Sequence, residues 1–396
     1  MNAPQNWLSF IKKSPLLTAL MAVLGLMVGL AIVFAIFSWQ TLRQISVGGG
    51  GQSATADVST QLAAAQPQPF SVLLLGYGGG GHEGGLLTDT IIVARIDPVK
   101  EQITLITLPR DLWVSLPVNG ETESGWKINA AYQIGSDDLS YPNKLAQFSG
   151  EAGGGNLAKL AVSQVVGFPI DAFVAVSFSG FTKSVDVLKG VEVEVEKTFD
   201  DYWYPLEGME DETCGKSEEE IEALTATMSG YLLEQEFPCR YEHIHFDQGT
   251  VRMDGATALK FARSRHSAQD GSDFSRSQRQ KNVILAMKDK VLRIDFLPKL
   301  IPFISTISQD LRTDLSLDNI QEFIKKKDEY QTYTIHSVAL TEDNVLNHGR
   351  SQDGQYILIP REGAGNWDSI HKWLEQELTA KEEQISQEPS AIIPTE

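Results

Sequence analysis

FSVLLLGYGGGGHEGGLLTDTIIVARIDPVKEQITLITL, residues 70–108, is the stretch on which the fold turns. It opens with FSVLLL (70–75), a short continuous apolar run of the length expected for a buried strand. TIIVARI (90–96) and QITLITL (102–108) are rich in β-branched residues, and Asp97-Pro98 marks the turn between them. A glycine loop, GYGGGGHEGG (76–85), joins the first run to the second. Downstream, NLAKLAVSQVV (156–166) has helical spacing, DAFVAVSF (171–178) reads as a strand, and 180–188 as a short helix. VEVEV (191–195) alternates as a half-exposed strand does. Residues 257–261, 279–291 and 317–330 read as helices, 333–338 and 356–359 as strands, and 367–383 as a final amphipathic helix. Strands interleaved with helices predict an α/β or α+β fold around a central sheet.

The 396 residues have room for one large domain or two ordinary ones, and 42% apolar with 21% charged residues is a globular composition. A formal net charge of −19 argues against non-specific nucleic-acid binding, which needs basic surface to replace counterions. The two cysteines, Cys214 and Cys239, make no disulfide scaffold and have no metal-type spacing; they can pair if that segment lies outside the cytoplasm.

Residues 16–38, LLTALMAVLGLMVGLAIVFAIFS, are apolar and uncharged for more than the ~20 residues that span a bilayer. Lys12 and Lys13 precede them, which predicts a cytoplasmic tail (1–15), one transmembrane helix and an extracytoplasmic main domain. A cleaved signal peptide is the rival reading, but its apolar core is shorter and its cleavage site closer than the A-x-A at Ala54. Residues 39–69 then form a flexible tether rich in Gly, Ser, Ala and Gln.

Against the acidic background, residues 262–280 (ARSRHSAQDGSDFSRSQRQ) stand out. From Lys260 to Lys281 there are six Lys or Arg and two Asp. Arg263 and Arg265 form one pair, Arg276 and Arg279 another, with Asp270 and Asp273 between them. Salt bridges on a helix–loop–helix surface are the bland explanation. A bound anion or metal is the functional one, since arginine suits forked recognition of phosphate. The glycine loop contains G-x-G-x-x-G at Gly76, Gly78 and Gly81, but no helix follows, so it is no dinucleotide fingerprint; nor is there a G-K-[ST]. It is either a mobile loop or a backbone cradle for a phosphate or sugar.

Other candidates carry two readings each. Asp89, at the mouth of a strand, can ligate Mg²⁺ or cap a turn. Arg110, at another strand end, can bind ligand or pair with Asp111. His82 and Glu83 can assist a metal or be exposed loop residues. His243 and His245 share a strand face without a third ligand, which favours structure. The aromatics of DDYWYP (200–205) can bind glycan or anchor the acidic segment 200–241, which reads as an insertion or flap.

In order, the chain presents a membrane anchor, LLLG with its glycine loop, TDT, PRD, KINAAY (127–132), VDVLKGV (185–191), GATALKFARSR (255–265) and D-x-x-R-x-x-RQ (273–280). This set resembles the LytR-CpsA-Psr (LCP) family of cell-wall glycopolymer transferases over roughly residues 70–291. The resemblance implies a three-layer sandwich, a central mixed β-sheet flanked by helices, with a deep apolar groove for a polyprenyl chain. It implies transfer of a glycopolymer from an undecaprenyl-pyrophosphate carrier to peptidoglycan or another wall acceptor. A polyprenyl-pyrophosphate hydrolase and a non-catalytic anchored binder of lipid-linked glycans are the alternatives.

By the same resemblance Arg110, Arg263, Arg265, Arg276 and Gln280 hold the pyrophosphate, and Lys127 and Asn129 line the same site. Asp89 ligates Mg²⁺ (or Mn²⁺), and Asp273 orients the arginines or approaches the metal. Tyr77 stands where family members commonly have an acid after LLLG, so either Glu83 supplies that carboxylate or the metal site is weaker. The expected organisation is a catalytic domain over 70–300, a C-terminal α/β extension packed on or beside it over 301–383, and a disordered tail over 384–396.

Overall fold

The computed structural model describes residues 68–79, 84–120, 122–228, 231–271, 273–291, 303 and 306–379. The tail 1–15, the apolar span 16–38, nearly all of the tether 39–69, Glu83 and the tail 384–396 lie outside the described residues. Among the described residues no helix is long and apolar enough to cross a membrane.

The three opening runs form strands β1 (Phe70–Tyr77), β2 (Thr88–Asp97) and β3 (Gln102–Thr107), paired antiparallel in succession. A hairpin that the sequence reading did not anticipate follows, β4 (Trp113–Asn119) and β5 (Thr122–Lys127), then helices α1 (Ala130–Ser136) and α2 (Gly153–Val166). Strand β6 (Ala172–Ser177) returns parallel to β1 and leads into helix α3 (Phe178–Val187). Strands β7 (Val191–Val195), β8 (Phe199–Pro205), β9 (Tyr241–Phe246) and β10 (Gly249–Met253) make two small antiparallel pairs, β7 with β10 and β8 with β9. Helices α4 (Gly255–Arg263) and α5 (Asp273–Val291) come next.

The segment expected to pack on or beside the domain, 301–383, is woven into its sheet. Strand β11 (Leu311–Thr313) pairs antiparallel with β6, and β12 (Thr334–Ala339) pairs parallel with β3. The sheet order is therefore β11-β6-β1-β2-β3-β12, with both edges supplied by the last quarter of the chain. A hairpin, β13 (Leu346–Arg350) with β14 (Tyr356–Pro360), and helix α6 (Asp368–Thr379) complete the described fold. This is a mixed α/β fold with a central mixed sheet. The expected single helix over 317–330 is two, Leu317–Lys325 and Lys327–Thr332.

Side chains alternate across a strand, so the sheet has two faces with different fates. Leu73, Leu75, Ile91, Val93, Ile106 and Phe173 enter a continuous core beneath α1, α2 and α6. The intervening residues Leu74, Gly76, Ile92, Val174 and Val176 face the other way. They do not meet a filled layer but an apolar cavity of about 210 Å³, closed by Leu259, Val283, Ile284 and Met287 from α4 and α5. The second core lies beyond it, built from α3, α4, α5 and the small strand pairs around Phe199, Phe246 and Phe261. The acidic segment 200–241 is less of an insertion than its composition suggests. Its first residues belong to β8, where Phe199 and Tyr204 are buried, and the excursion proper runs between the paired strands β8 and β9. Cys214 and Cys239 are joined by a disulfide within that excursion.

Candidate active site

Two strand ends start the site. Thr88, almost wholly buried, donates its N–H to the Asn129 carbonyl at 3.1 Å, which pins the entrance of β2 to the KINAAY segment. The turn after β3 is closed by the Leu112 N–H on the Pro109 carbonyl (3.2 Å), and the Ile128 N–H bonds the Leu112 carbonyl (2.7 Å). These contacts bring the Arg110 Nη1 to 2.5 Å from the Asp89 Oδ1, while Asp111 is a longer ion pair at 3.6 Å. Burial depresses the Arg110 guanidinium, but the charges and hydrogen bonds of Asp89 and Asp111 outweigh it and hold it above its ordinary value.

The arginine-rich stretch is not one loop. Helix α4 begins at an Asp254 cap, whose carboxylate accepts from the Thr257 N–H at 2.8 Å, and runs to Arg263. Gly255 is required there: a Cβ would stand 2.2 Å from the Thr182 carbonyl of α3. Ser264 ends the helix, and Arg276, Arg279 and Gln280 lie on α5, whose first residue is Asp273.

Between the helices the chain is clamped from below by Asp201, a fully buried residue of β8. Its Oδ2 accepts from the Ser264 hydroxyl (2.6 Å) and from the Arg265 and His266 N–H groups (3.1 Å each). Burial alone raises the Asp201 carboxyl, but these donors and the Trp203 N–H overcome it and hold the group below the usual range.

Arg279 is a second clamp. It donates to the Phe261, Ser264 and Asp270 carbonyls, and its Nη1 stands 2.6 Å from the Asp270 carboxylate. Two of the clustered charges thus neutralise each other inside the fold, as the salt-bridge explanation of the stretch has it.

What remains converges on one cavity of about 230 Å³. Asp89, Arg110, Arg263, Arg265, Arg276 and Gln280 all line it. Arg263 lies over the Phe178 ring at 4.2 Å and donates a long bond to the Tyr204 hydroxyl (3.4 Å). Neither Arg263 nor Arg265 has a carboxylate partner among the described residues. Gln280 reaches the Thr90 hydroxyl at 3.4 Å, joining α5 to β2 across the cavity. Thr90, Arg263 and Gln280 also line the apolar cavity, so the cationic and apolar spaces adjoin.

Lys127 and Asn129 fall elsewhere. They line a neighbouring cleft that shares Arg110 with the cationic cavity, and Lys127 is paired with Asp111 at 2.7 Å. Glu83 lies outside the described residues. Tyr77 does not face the arginines: alternation along β1 puts it on the core side with Leu73 and Leu75, where it stacks on Tyr132 at 5.4 Å.

His243 and His245 both bond the Asp200 Oδ1 at 2.8 Å on the exposed side of the hairpin, a local network as expected of a structural pair. Among the described residues no group of three His, Cys, Asp or Glu is placed to hold a metal by itself. Of the aromatics in 200–205, Tyr204 is buried at the cavity, Trp203 packs on Tyr241, and Tyr202 stacks on His243.

Sequence reasoning missed Asp201, Tyr204, Glu234 and Tyr241 as cavity residues. All four come from segment 200–241, whose acidic composition masked the strands at its ends.

The LytR_cpsA_psr family model matches residues 37–364. The polyisoprenyl-teichoic acid–peptidoglycan teichoic acid transferase TagU of Halalkalibacterium halodurans is 23% identical over 87% of this chain and 93% of its own. TagU of Enterococcus faecalis is 27% identical over 64% of each chain, so the chain spans just under two thirds of that relative. Among solved structures, TagV of Bacillus subtilis superposes with a TM-score of 0.51 at 24% identity, covering 80% of this chain and 99% of that one.

Proposed function

The chain belongs to the LytR_cpsA_psr family, and from that premise we propose that it is a membrane-anchored phosphotransferase. It would move a glycopolymer from a polyprenyl-pyrophosphate carrier, undecaprenyl in kind, to peptidoglycan or another wall acceptor. One observation carries the reading: a cavity lined by four arginines adjoins an apolar cavity, with Thr90, Arg263 and Gln280 lining both. A diphosphate with a hydrocarbon tail has that same division of polarity. The names of the two TagU relatives, which act on polyisoprenyl-linked teichoic acid and peptidoglycan, support it. The apolar span 16–38 would hold the site beside the lipid carrier on the extracytoplasmic side.

In the reaction an acceptor hydroxyl attacks the phosphorus that bears the sugar. A new P–O bond forms, the bond to the bridging oxygen breaks, and polyprenyl phosphate leaves with the electron pair while the hydroxyl proton passes to solvent. Phosphoryl transfer asks the protein for positioning and charge neutralisation more than covalent work. Arg263 and Arg265, lacking carboxylate partners among the described residues, are the groups best placed to take phosphate oxygens.

Among the described side chains, which do not include those of Glu83 and Asp273, Asp89 is the carboxylate of this cavity that would hold a magnesium (or manganese) ion. Its Oδ1 bonds Arg110, and the Oδ2 has no partner among the described residues. Mg²⁺ commonly takes one or two carboxylates plus substrate phosphates and water. Such an ion would neutralise charge on the departing phosphate. Tyr77, turned into the core, offers no second ligand.

The test is to incubate the full chain with Mg²⁺, radiolabelled lipid-linked glycan and wall fragments. Label appearing in the wall, and lost in Arg263→Ala, supports transfer. Release of lipid phosphate with unlabelled wall identifies a hydrolase. No turnover in either form leaves an anchored binder and removes the enzyme reading.

A further inference from the structure

We infer that the cleft between the β4–β5 and β13–β14 hairpins is a saccharide subsite that seats the acceptor glycan. The inference rests on the phosphotransferase reading and extends it to a second site. The cleft is the roomiest of these three spaces, about 1060 Å³. Its two hairpins are joined at their bases, where the Leu358 N–H bonds the Asp111 carbonyl at 2.9 Å and Leu112 bridges Leu358.

Strand β2 and the residue before it supply the direction. Leu87 lines the cleft, Asp89 the cationic cavity, Thr90 both the cationic and apolar cavities, and Ile92 the apolar one alone. From Leu87 to Ile92 an extended chain covers about 17 Å at ~3.3 Å per residue. Along that line the surroundings change from saccharide-like polarity through cations to hydrocarbon, and the cleft and the apolar cavity share no lining residue. In-line displacement brings the nucleophile in opposite the leaving group. The leaving lipid phosphate belongs on the apolar side, so the attacking hydroxyl enters from the cleft, past Arg110.

The walls suit a sugar. Trp113 lies in a slot that Gly125 keeps open: a Cβ at Gly125 would stand 2.5 Å from the indole Cζ2. The ring is thereby fixed against β5 while remaining partly exposed in the cleft. Aromatic faces carry partial negative charge and accept the C–H-rich faces of pyranose rings. Arg350, the last residue of β13, and Gln352 in the turn that follows are exposed and line the cleft too; Arg350 Nη1 bonds the Gly354 carbonyl at 2.9 Å, and its other N–H groups and the Gln352 amide are donors suited to hydroxyl and acetamido oxygens. A pocket with aromatic walls and a few polar groups is the usual form of a small-molecule site.

The full chain, purified in detergent, is titrated with a soluble tetramer of β-1,4-linked N-acetylglucosamine by saturation-transfer NMR, and with inorganic pyrophosphate by calorimetry. The tetramer is expected to bind the native chain. Trp113→Ala should weaken it at least tenfold, with pyrophosphate affinity held within twofold. Should Trp113→Ala fail to fold, the double variant Arg350→Ala/Gln352→Ala, at exposed positions, should weaken the tetramer at least threefold.

An absence of tetramer binding to the native chain, or equal binding by the folded variants, overturns the subsite. Displacement of the tetramer by a short-chain lipid-linked glycan assigns the cleft to the donor's sugar and overturns the acceptor assignment. Tetramer binding without any pyrophosphate binding would instead sink the phosphotransferase reading and leave the saccharide subsite standing.

Discussion

The Asp201 carboxylate accepts the Ser264 hydroxyl at 2.6 Å, so a residue of strand β8 holds the end of a helix sixty-three positions further on. The same oxygen takes the next two N–H groups, and the loop bearing Arg265 is thereby shaped from outside itself. Asp201 is in this arrangement a positioning residue, fixing the backbone from which Arg265 reaches the cationic cavity.

Asp201→Ala should leave four donors, the Ser264 hydroxyl and the Arg265, His266 and Trp203 N–H groups, without their acceptor and cost on the order of 3 kcal/mol of stability, with turnover of the lipid donor falling more than tenfold. Chemical denaturation and a turnover assay on the same preparation check both. The pH dependence has a definite sign. The folded Asp201 carboxyl is held low, so its stabilisation is complete above the unfolded value near ~4 and is lost as pH falls through the lower folded value. The native chain should therefore lose stability more steeply below about pH 4 than Asp201→Asn does; identical acid profiles would refute the clamp.

Arg263 and Arg279 belong to one cluster but should fail differently. Arg279→Ala leaves the Asp270 carboxylate and two buried carbonyls without their donor, at about 3–5 kcal/mol of stability. Arg263→Ala removes a cation stacked on Phe178, and its main effect is on a bound anion. Donor affinity should drop by about 10- to 150-fold, for a charge-assisted contact of ~1.5–3 kcal/mol. Thermal melts paired with pyrophosphate titrations separate the two, and a stability loss in Arg263→Ala as large as in Arg279→Ala would contradict this division.

Reduction of the Cys214–Cys239 disulfide, or Cys239→Ser, should loosen the excursion between β8 and β9. The bridge closes a loop across a separation of 25 residues, for which chain entropy gives about 3.5 kcal/mol. Limited proteolysis should then cut within 206–240 while the sheet stays intact. Because Glu234 and Tyr241 line the cationic cavity, donor affinity should fall too. Unchanged proteolysis after verified reduction counts against it.

His245 should titrate above an ordinary histidine because Asp200, then Asp247, hydrogen-bond its charged form. A raised folded value means that its contribution is present below the unfolded value near ~6.5 and fades as pH rises through the folded one. In an NMR titration Asp200→Asn should bring the His245 midpoint down. A midpoint that does not move would show that the network is not what holds the proton.

Much of the central sheet was legible because its strands are locally encoded. The runs at 70–75, 90–96 and 102–108 became β1, β2 and β3 with shifts of a few residues at their ends. The β4–β5 hairpin was missed since Trp113–Lys127 has no clear alternation; it holds its place by pairing and by Trp113 lying over Gly125. Segment 200–241 was read from its charge, yet Asp201 is buried because three donors from a distant loop meet it there. Burial of an acid depends on partners that composition does not reveal.

By itself the sequence determined the strand-forming runs, the apolar span 16–38, the arginine-rich stretch and the ordered motifs by which the family is known. Those are properties of short windows, where residue type and spacing act directly. Only the tertiary structure decided which arginines face the cavity and which, like Arg279, are consumed inside the fold. It also decided that Tyr77 turns inward, that Lys127 and Asn129 belong to the adjoining cleft, and that 301–383 supplies both sheet edges. The physical reason is shared: a charge or a strand edge is satisfied by whatever the fold brings beside it. For these groups the partner lies at separations from nine residues, as for Arg279 and Asp270, to more than two hundred, as for β12 and β3.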